Sequence, residues 1–315
     1  HERREKYVEH ILTSEVLPHQ SIERGENCKR ERARFLAVMV RKICLVSIGH
    51  IPADDRDHYA NKRCDGSGAL CSLLFRQLWR NTLKSITLQL HKLVDTGKIA
   101  TTSLTDVLTD GRITAGFRYA FSTGVWGILK STQGQSGVAQ VVGRLTPLAA
   151  ISNMRRISVP INRDGKSTKP RLMHPTTFGI ICTAETPEGG SCGLVRNLAV
   201  LAHIRIGVPS DGIKAVVEDV ARARITLLRD VEPRHIATQV PIFINGQLHS
   251  YAMPEDVVAL REELRRCKGA GDLPFDTSLA IDNCNDCNGA SETAVDMSFH
   301  IATDAGALCR PLVRL

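Results

Sequence analysis

Met154-Arg-Arg-Ile-Ser-Val-Pro-Ile-Asn-Arg-Asp-Gly-Lys-Ser-Thr-Lys-Pro-Arg171 marks the point where the chain changes character. Upstream, apolar residues recur at helical spacing; from Ile157 to Ile161 the pattern reads as extended. The Asp164-Gly165 pair favours a chain reversal with positive φ, and Pro170 keeps Lys169 out of the helical region. Arg155, Arg156, Arg163, Lys166, Lys169 and Arg171 flank that turn, so several cations are expected on one rigid ribbon. Residues 144–171 hold seven basic residues against one acidic residue. A phosphate polymer suits such a focus, because each Lys or Arg at a phosphate releases a condensed counterion. Contacts of that kind position a nucleic acid without reading its sequence. A solvated basic loop is the other reading of the same residues.

Working upstream, Tyr7, Val8, Ile11, Leu12 and Val16 predict a helix that Pro18 stops. Phe35, Leu36, Met39, Ile43 and Cys44 predict a second, with Gly49 just past its end. A long amphipathic helix is expected from Leu70 to Val94, closed near Gly97, and shorter helices over 103–121 and 136–150. Downstream, Phe178 to Cys182 reads as a strand and Thr186-Pro-Glu-Gly-Gly190 as a sharp loop. Val240 to His249 reads as a hairpin turning on Asn245-Gly246. A helix with Pro254 in its first turn should run to about Cys267 and end before Gly269. Short strands near 297–302 and 311–315 would finish the chain. The predicted class is α+β and multi-segment: a mainly helical N-terminal half, then a fork with a basic hairpin, then a small α+β module. Residues 206–315 carry 11 basic against 16 acidic residues, so the last third is acidic.

The whole chain has 315 residues, 34.6 kDa and a formal charge of +8, enough for two or three domains. At 43% apolar it can build cores. With 4% aromatic residues, a surface built on stacked rings is not expected. No apolar run reaches the roughly 18 residues of a membrane span, and the opening HERREKYVEH is too charged for a secretory signal. That opening also lacks an initiator Met, and the chain reads as an internal piece of something longer. Ten cysteines scattered mostly through apolar stretches suggest buried thiols in a reducing cytosol or nucleus.

Other constellations carry two readings each. Gly189-Gly-Ser-Cys-Gly193 matches the hydrolase nucleophile elbow in letters, but Pro187 and Glu188 intervene between the strand and Ser191, and no βαβ pattern surrounds it. A glycine-rich structural loop is the better reading. Glu185 and Glu188 would hold metal or exchange protons in one reading; in the other they anchor Arg side chains and fix the loop. His174 is expected to be a hydrogen-bonded structural histidine. Asp54, Asp55 and Asp57, interleaved with Arg56, Lys62 and Arg63, are expected to form a self-neutralising ion network rather than a Mg²⁺ site. Cys284 and Cys287 have zinc-ligand spacing, with Cys267 and Cys309 the nearby residues that would complete four ligands.

These segments together resemble a known family. Asp54-Asp-Arg-Asp-His-Tyr-Ala-Asn-Lys-Arg63, Arg144-Leu-Thr146, Met154-Arg-Arg156, Asn162-Arg-Asp-Gly-Lys166 and Lys169-Pro-Arg171 occur in order. Ala184-Glu-Thr-Pro-Glu-Gly189, Gly193-Leu-Val-Arg-Asn-Leu198, Thr303-Asp-Ala-Gly306 and Cys309-Arg-Pro-Leu312 follow. Over nearly its whole length the chain resembles the second-largest subunit of multisubunit DNA-directed RNA polymerases of eukaryotic, archaeal and large-DNA-virus type. The resemblance implies a layout: residues 1–50 the end of the lobe, 51–150 the second segment of the protrusion, 151–205 the fork and 206–315 the first external domain. It implies a role in positioning template and downstream DNA at the active-centre cleft of a nucleotidyltransferase. Arg155, Arg156, Arg163, Lys166, Lys169 and Arg171 would bind nucleic acid, and Glu185 and Glu188 would support the active centre.

The resemblance also implies what lies elsewhere. No catalytic residue and no cofactor is expected in this segment, which alone would be catalytically silent. The Mg²⁺ of the complete polymerase is held mainly by the largest subunit. The implied partners are the DNA template, the RNA–DNA hybrid, the largest subunit and other polymerase subunits, with no membrane. The implied location is the nucleus, or the cytoplasm for a viral or archaeal enzyme. Asn162 stands where the family often has Gly, Gln135 where it has Arg, and Leu172-Met173 replaces a more polar pair. The alternative is a free-standing nucleic-acid-binding module; a serine hydrolase acting through Ser191 is the third reading.

Overall fold

A computed structural model describes residues 2–20, 26–98, 103, 105, 107, 111–127, 137–161, 167–232, 234–236, 238–283 and 297–311. Chain order runs through α1 (Glu2–Ser14), α2 (Glu26–Ser47), α3 (Ser67–Asp95), α4 (Arg112–Thr123) and α5 (Pro147–Met154). Then come β1 (Arg156–Ser158), β2 (Val195–Asn197), β3 (His203–Ile204), α6 (Ser210–Val220), β4 (Ile225–Leu227), β5 (Val240–Ile244) and β6 (Gln247–Ala252). The last elements are α7 (Pro254–Ala270), β7 (Ser278–Asn283), β8 (Met297–Ala302) and β9 (Leu308–Cys309). The class is α+β with helices filling the N-terminal half. Two compact units divide the described residues: one takes those of 1–58 and 204–309, the other those of 59–203 and 310–315.

In the first unit a five-stranded sheet runs in the order β4-β6-β5-β8-β7. Its neighbours are antiparallel except for the parallel pair β5–β8. Strict alternation in β5 explains the layering. Val240, Ile242 and Ile244 are fully buried with Ile213 and Val217 of α6 and Val257, Leu260 and Leu264 of α7. Those α7 residues recur at i, i+3 and i+7, which puts them on one helical face. Phe243, of opposite parity, meets Phe35 of α2 edge to face at 6.0 Å. Both faces of the sheet are therefore covered. Pro241 sits outside the β5–β8 ladder, which begins at Ile242, so its missing N–H costs that ladder nothing. The hairpin reverses through Asn245 (φ 50°) and Gly246 (φ 79°), the two-residue turn expected from the sequence.

Two side chains from distant segments fasten this unit. Gln20 pairs with the main chain of Leu248 as a strand would: its amide donates to the carbonyl at 2.6 Å and its carbonyl accepts from the N–H at 3.0 Å. Arg205, only 2% exposed, donates to the carbonyls of Asp304 (2.7 Å) and Ala302 (2.8 Å) and to the Asp304 carboxylate (2.9 Å).

The second unit is built on α3 and α4, which bury Leu74, Ala120 and Trp126 with Leu70, Leu78 and Phe117 packed around them. The Trp126 indole donates to the Leu70 carbonyl at 2.7 Å. The short pair β1–β2 is antiparallel, with Ile157 opposite Arg196.

Several expectations are corrected. The helix expected over 136–150 begins only at Pro147, because Thr146 caps it by accepting from Ala149 N at 3.1 Å and Pro occupies its first position. Phe178–Cys182 forms no strand. The chain turns through Pro175–Thr177, whose carbonyls accept from Phe178 and Ile181, leaving the single bridge Ile181–Leu198. Helix α7 runs through Gly269 and stops at Gly271, whose φ is 95°. Asp54 pairs at 2.9 Å with Lys42, a partner outside the expected network, and Asp55 accepts from the Asp57 N–H. Among the described cysteines, Cys28 is buried but Cys44 and Cys192 are exposed, and none is in a disulfide. The proposed zinc pair Cys284/Cys287 and the end of the 311–315 strand lie outside the described residues. No helix among the described residues is long and apolar enough to cross a membrane.

Candidate nucleic-acid interface

Helix α5 delivers the first cations. Met154 is its last residue, and Arg155 leaves it as the C-cap. The Arg155 guanidinium folds back to donate to the carbonyls of Ala199, Val200 and Ala202, the last two at 3.3 Å. Neutral carbonyls hold the group in place without cancelling its charge. Arg156 opens β1 opposite Asn197 and is exposed. Arg163 and Lys166 lie outside the described residues. Lys169 and Arg171 share the single 3-10 turn Lys169–Arg171. Lys169 is exposed and makes no ion pair among the described residues. Arg171 donates to the carbonyls of Gly190 (2.8 Å) and Cys192 (2.9 Å), which ties the basic turn to the Pro/Gly loop. Arg155 and Arg171 thus lean on carbonyls rather than project from a ribbon.

Gly193 shows how close the two segments come. Its φ is +72°, and a Cβ there would run into the Arg171 main chain. Thr186 closes the loop from inside, its hydroxyl donating to the Val195 carbonyl and accepting from the Gly193 N–H, both at 3.0 Å. Ser191 sits in a single 3-10 turn, Gly189–Ser191, not on a strand-to-helix elbow.

The two carboxylates are both exposed, in different settings. Glu185 accepts from Ser152 Oγ, and Asn197 donates to that hydroxyl at 2.8 Å. Hydrogen bonds from Ser152 and Asn197, helped by the nearby Arg156 charge, hold the Glu185 carboxyl below the usual range. Glu185 is thus fixed by the α5–β2 framework while facing solvent. Glu188 stands at the N-cap of the Gly189–Ser191 turn and makes no side-chain cap bond. His174 Nδ1 lies 2.6 Å from Thr176 Oγ1, the structural role expected. Among the described residues, no group of three His, Cys, Asp or Glu is placed to hold a metal ion.

Sequence reasoning missed Arg196, whose guanidinium makes four hydrogen bonds at this interface. Arg196 on β2 is 6% exposed. Its Nε donates to Gly193 O (2.8 Å), Nη1 to the Tyr59 hydroxyl (2.8 Å), and Nη2 to Pro170 O (2.9 Å) and Leu172 O (3.0 Å). One charged residue inside the apolar run Gly193-Leu-Val-Arg-Asn-Leu198 was the available signal, since an Arg buried in a strand must find several acceptors.

A family model described as RNA polymerase Rpb2, domain 3, matches residues 140–204, and one described as RNA polymerase Rpb2, domain 2, matches residues 2–65. DNA-directed RNA polymerase II subunit 2 of Arabidopsis thaliana is 37% identical over 266 residues, covering 84% of this chain and 22% of that protein. DNA-directed RNA polymerase II subunit RPB2 of Schizosaccharomyces pombe is 34% identical, covering 99% of this chain and 24% of the relative. The chain belongs to the Rpb2 family. An archaeal relative, DNA-directed RNA polymerase subunit Rpo2 of Sulfolobus acidocaldarius, is 31% identical over 99% of the chain and 26% of its own length. The chain therefore spans about a quarter of the length of these Rpb2-family relatives. The whole candidate interface, from Arg155 to Glu188 and Arg196, falls inside the Rpb2 domain 3 match.

Proposed function

We propose that this chain is part of a DNA-directed RNA polymerase, a nucleotidyltransferase, and that it positions template and downstream DNA at the active-centre cleft during RNA synthesis. The proposed layout is the lobe end over 1–50, the protrusion over 51–150, the fork over 151–205 and the first external domain over 206–315. Arg155, Arg156, Arg163, Lys166, Lys169 and Arg171 are the proposed nucleic-acid contacts. The observation that carries this reading is a dense run of positive charge in which main-chain carbonyls hold the Arg155 guanidinium in place without neutralising it.

Glu185 and Glu188 are proposed to support the active centre by fixing the loop and tuning the local field. On this reading the chemistry belongs to the assembled enzyme, with Mg²⁺ held mainly by the largest subunit and this segment silent by itself. Preorganised charge is what such a segment contributes, since phosphoryl transfer depends on positioning and electrostatic stabilisation. The proposed partners are template, RNA–DNA hybrid, the largest subunit and its companions. The proposed place is the nucleus, or the cytoplasm for a viral or archaeal enzyme.

The test is the salt dependence of template binding by the assembled polymerase. Arg156→Glu with Lys169→Glu should weaken binding and flatten the plot of log affinity against log salt by about one unit per cation lost. An unchanged slope in a correctly assembled enzyme would overturn the reading. Glu185→Gln or Glu188→Gln should change elongation speed without abolishing synthesis. Complete loss with assembly intact would instead assign that carboxylate to the chemistry.

A further inference from the structure

We infer that Arg196 is the positioning residue of this interface, acting with the Tyr59 hydroxyl to set where Lys169 and Arg171 stand; the inference rests on the proposed nucleic-acid role of those two cations. One guanidinium reaches three separate segments of the same unit. Its Nη2 binds the carbonyls of Pro170 and Leu172, the residues on either side of Arg171. Its Nε binds Gly193 O, on the loop whose backbone abuts Arg171. Its Nη1 binds the hydroxyl of Tyr59, in the segment Asp54–Arg63 that opened the family resemblance.

The anchor points are themselves fixed. Arg196 belongs to β2, held in register by Ile157 across the β1–β2 ladder. Tyr59 is buried, its N–H donates to Thr176 Oγ1 at 3.1 Å, and that hydroxyl meets His174 at 2.6 Å. The ammonium of Lys62 lies 5.2 Å from the Tyr59 ring centre. Residues 170–176 are therefore pinned at one end by Arg196 and at the other through Thr176 and Tyr59. The arrangement needs a planar fork with donors in fixed directions, which a lysine point charge reproduces only in part. A buried guanidinium whose three nitrogens all donate to protein oxygens is not available to bind phosphate itself. Its effect reaches nucleic acid through the placement of Lys169 and Arg171, without altering any exposed charge.

The test uses assembled polymerase carrying Tyr59→Phe or Arg196→Lys, each with Lys169 and Arg171 intact and with Lys169→Gln plus Arg171→Gln. Tyr59→Phe removes one oxygen and keeps the ring, so it guards against a variant that fails to fold. Template affinity should fall about three- to tenfold with both cations present and by less than about twofold with both replaced, the non-additivity expected of residues acting through one another. Arg196→Lys should retain more affinity than Arg196→Met. Equal losses in both backgrounds would overturn the inference, because that is the signature of general weakening. A fluorine label, trifluoromethyl-phenylalanine in place of Lys169, supplies a readout that needs no nucleic acid. Its resonance should shift in Tyr59→Phe, and an unmoved resonance would equally overturn the inference. If Lys169→Gln alone leaves template affinity unchanged while the label still moves, the positioning role stands and the phosphate-contact reading of Lys169 fails.

Discussion

Asn197 and Ser152 show what one buried amide and one hydroxyl do for an exposed acid. Glu185 faces solvent, yet its carboxyl is held low by hydrogen bonds that stabilise only the ionised form. A carboxyl depressed on folding contributes stability that is present above its unfolded value and is lost as pH falls through the folded one. Asn197→Leu or Ser152→Ala should therefore raise the Glu185 titration toward the ordinary carboxylate range, read from its side-chain carboxyl shift by NMR; an unmoved titration would show that Arg156 alone sets it. The exposed cations could be read from the sequence because charge density needs no partner to be visible. Arg196, Tyr59, Ser152 and Asn197 could not, because their roles arise only when segments far apart in the chain meet. A solitary Arg in an apolar strand announces that acceptors exist, not which ones.

The hairpin between β5 and β6 formed as read because its deciding signal is local. Asn245-Gly246 turns as expected because both positions take positive φ, which few other residue pairs accept. Gly246→Ala should cost about 1–2 kcal/mol, measured by denaturant unfolding, since a Cβ is disfavoured in that conformation. Phe178–Cys182 failed as a strand because the turn at Pro175–Thr177 takes the N–H groups of Phe178 and Ile181, leaving Phe178 exposed and only the bridge at Ile181 for a ladder, which propensity does not register. The sheet also carries a pH response. His249 and His300 are both depressed by burial, the first despite Glu218 at 3.1 Å, the second beside Phe243 and within the field of Asp282, Lys42 and Asp54. A histidine whose folded value is lowered costs stability as pH falls below its ordinary value, because the unfolded chain takes the proton first. The first unit should then lose stability as pH falls below about 6.5, the ordinary histidine value, and the double change His249→Gln with His300→Gln should flatten that loss in a thermal melt.

At the scale of the whole chain, each described core cluster draws its residues from a single unit. Leu264 is fully buried among the sheet and helices of the first unit, and Leu74, Ala120 and Trp126 form the core of the second. Both tryptophans, Trp79 and Trp126, belong to the second unit, so indole fluorescence reports on it alone. Leu264→Ala should destabilise the first unit by about 2–5 kcal/mol, the cost of lost burial plus an unfilled cavity. The charge division follows the same logic. Acidic residues dominate 206–315 while the cations concentrate over 144–171. Denaturant unfolding followed by far-ultraviolet circular dichroism and by tryptophan emission should therefore separate in Leu264→Ala. The dichroism midpoint should move to lower denaturant while the emission midpoint stays where it is in the unaltered chain. If both midpoints move together, the two cores unfold as one cooperative body, and a stability change anywhere in the sheet would reach the cationic interface.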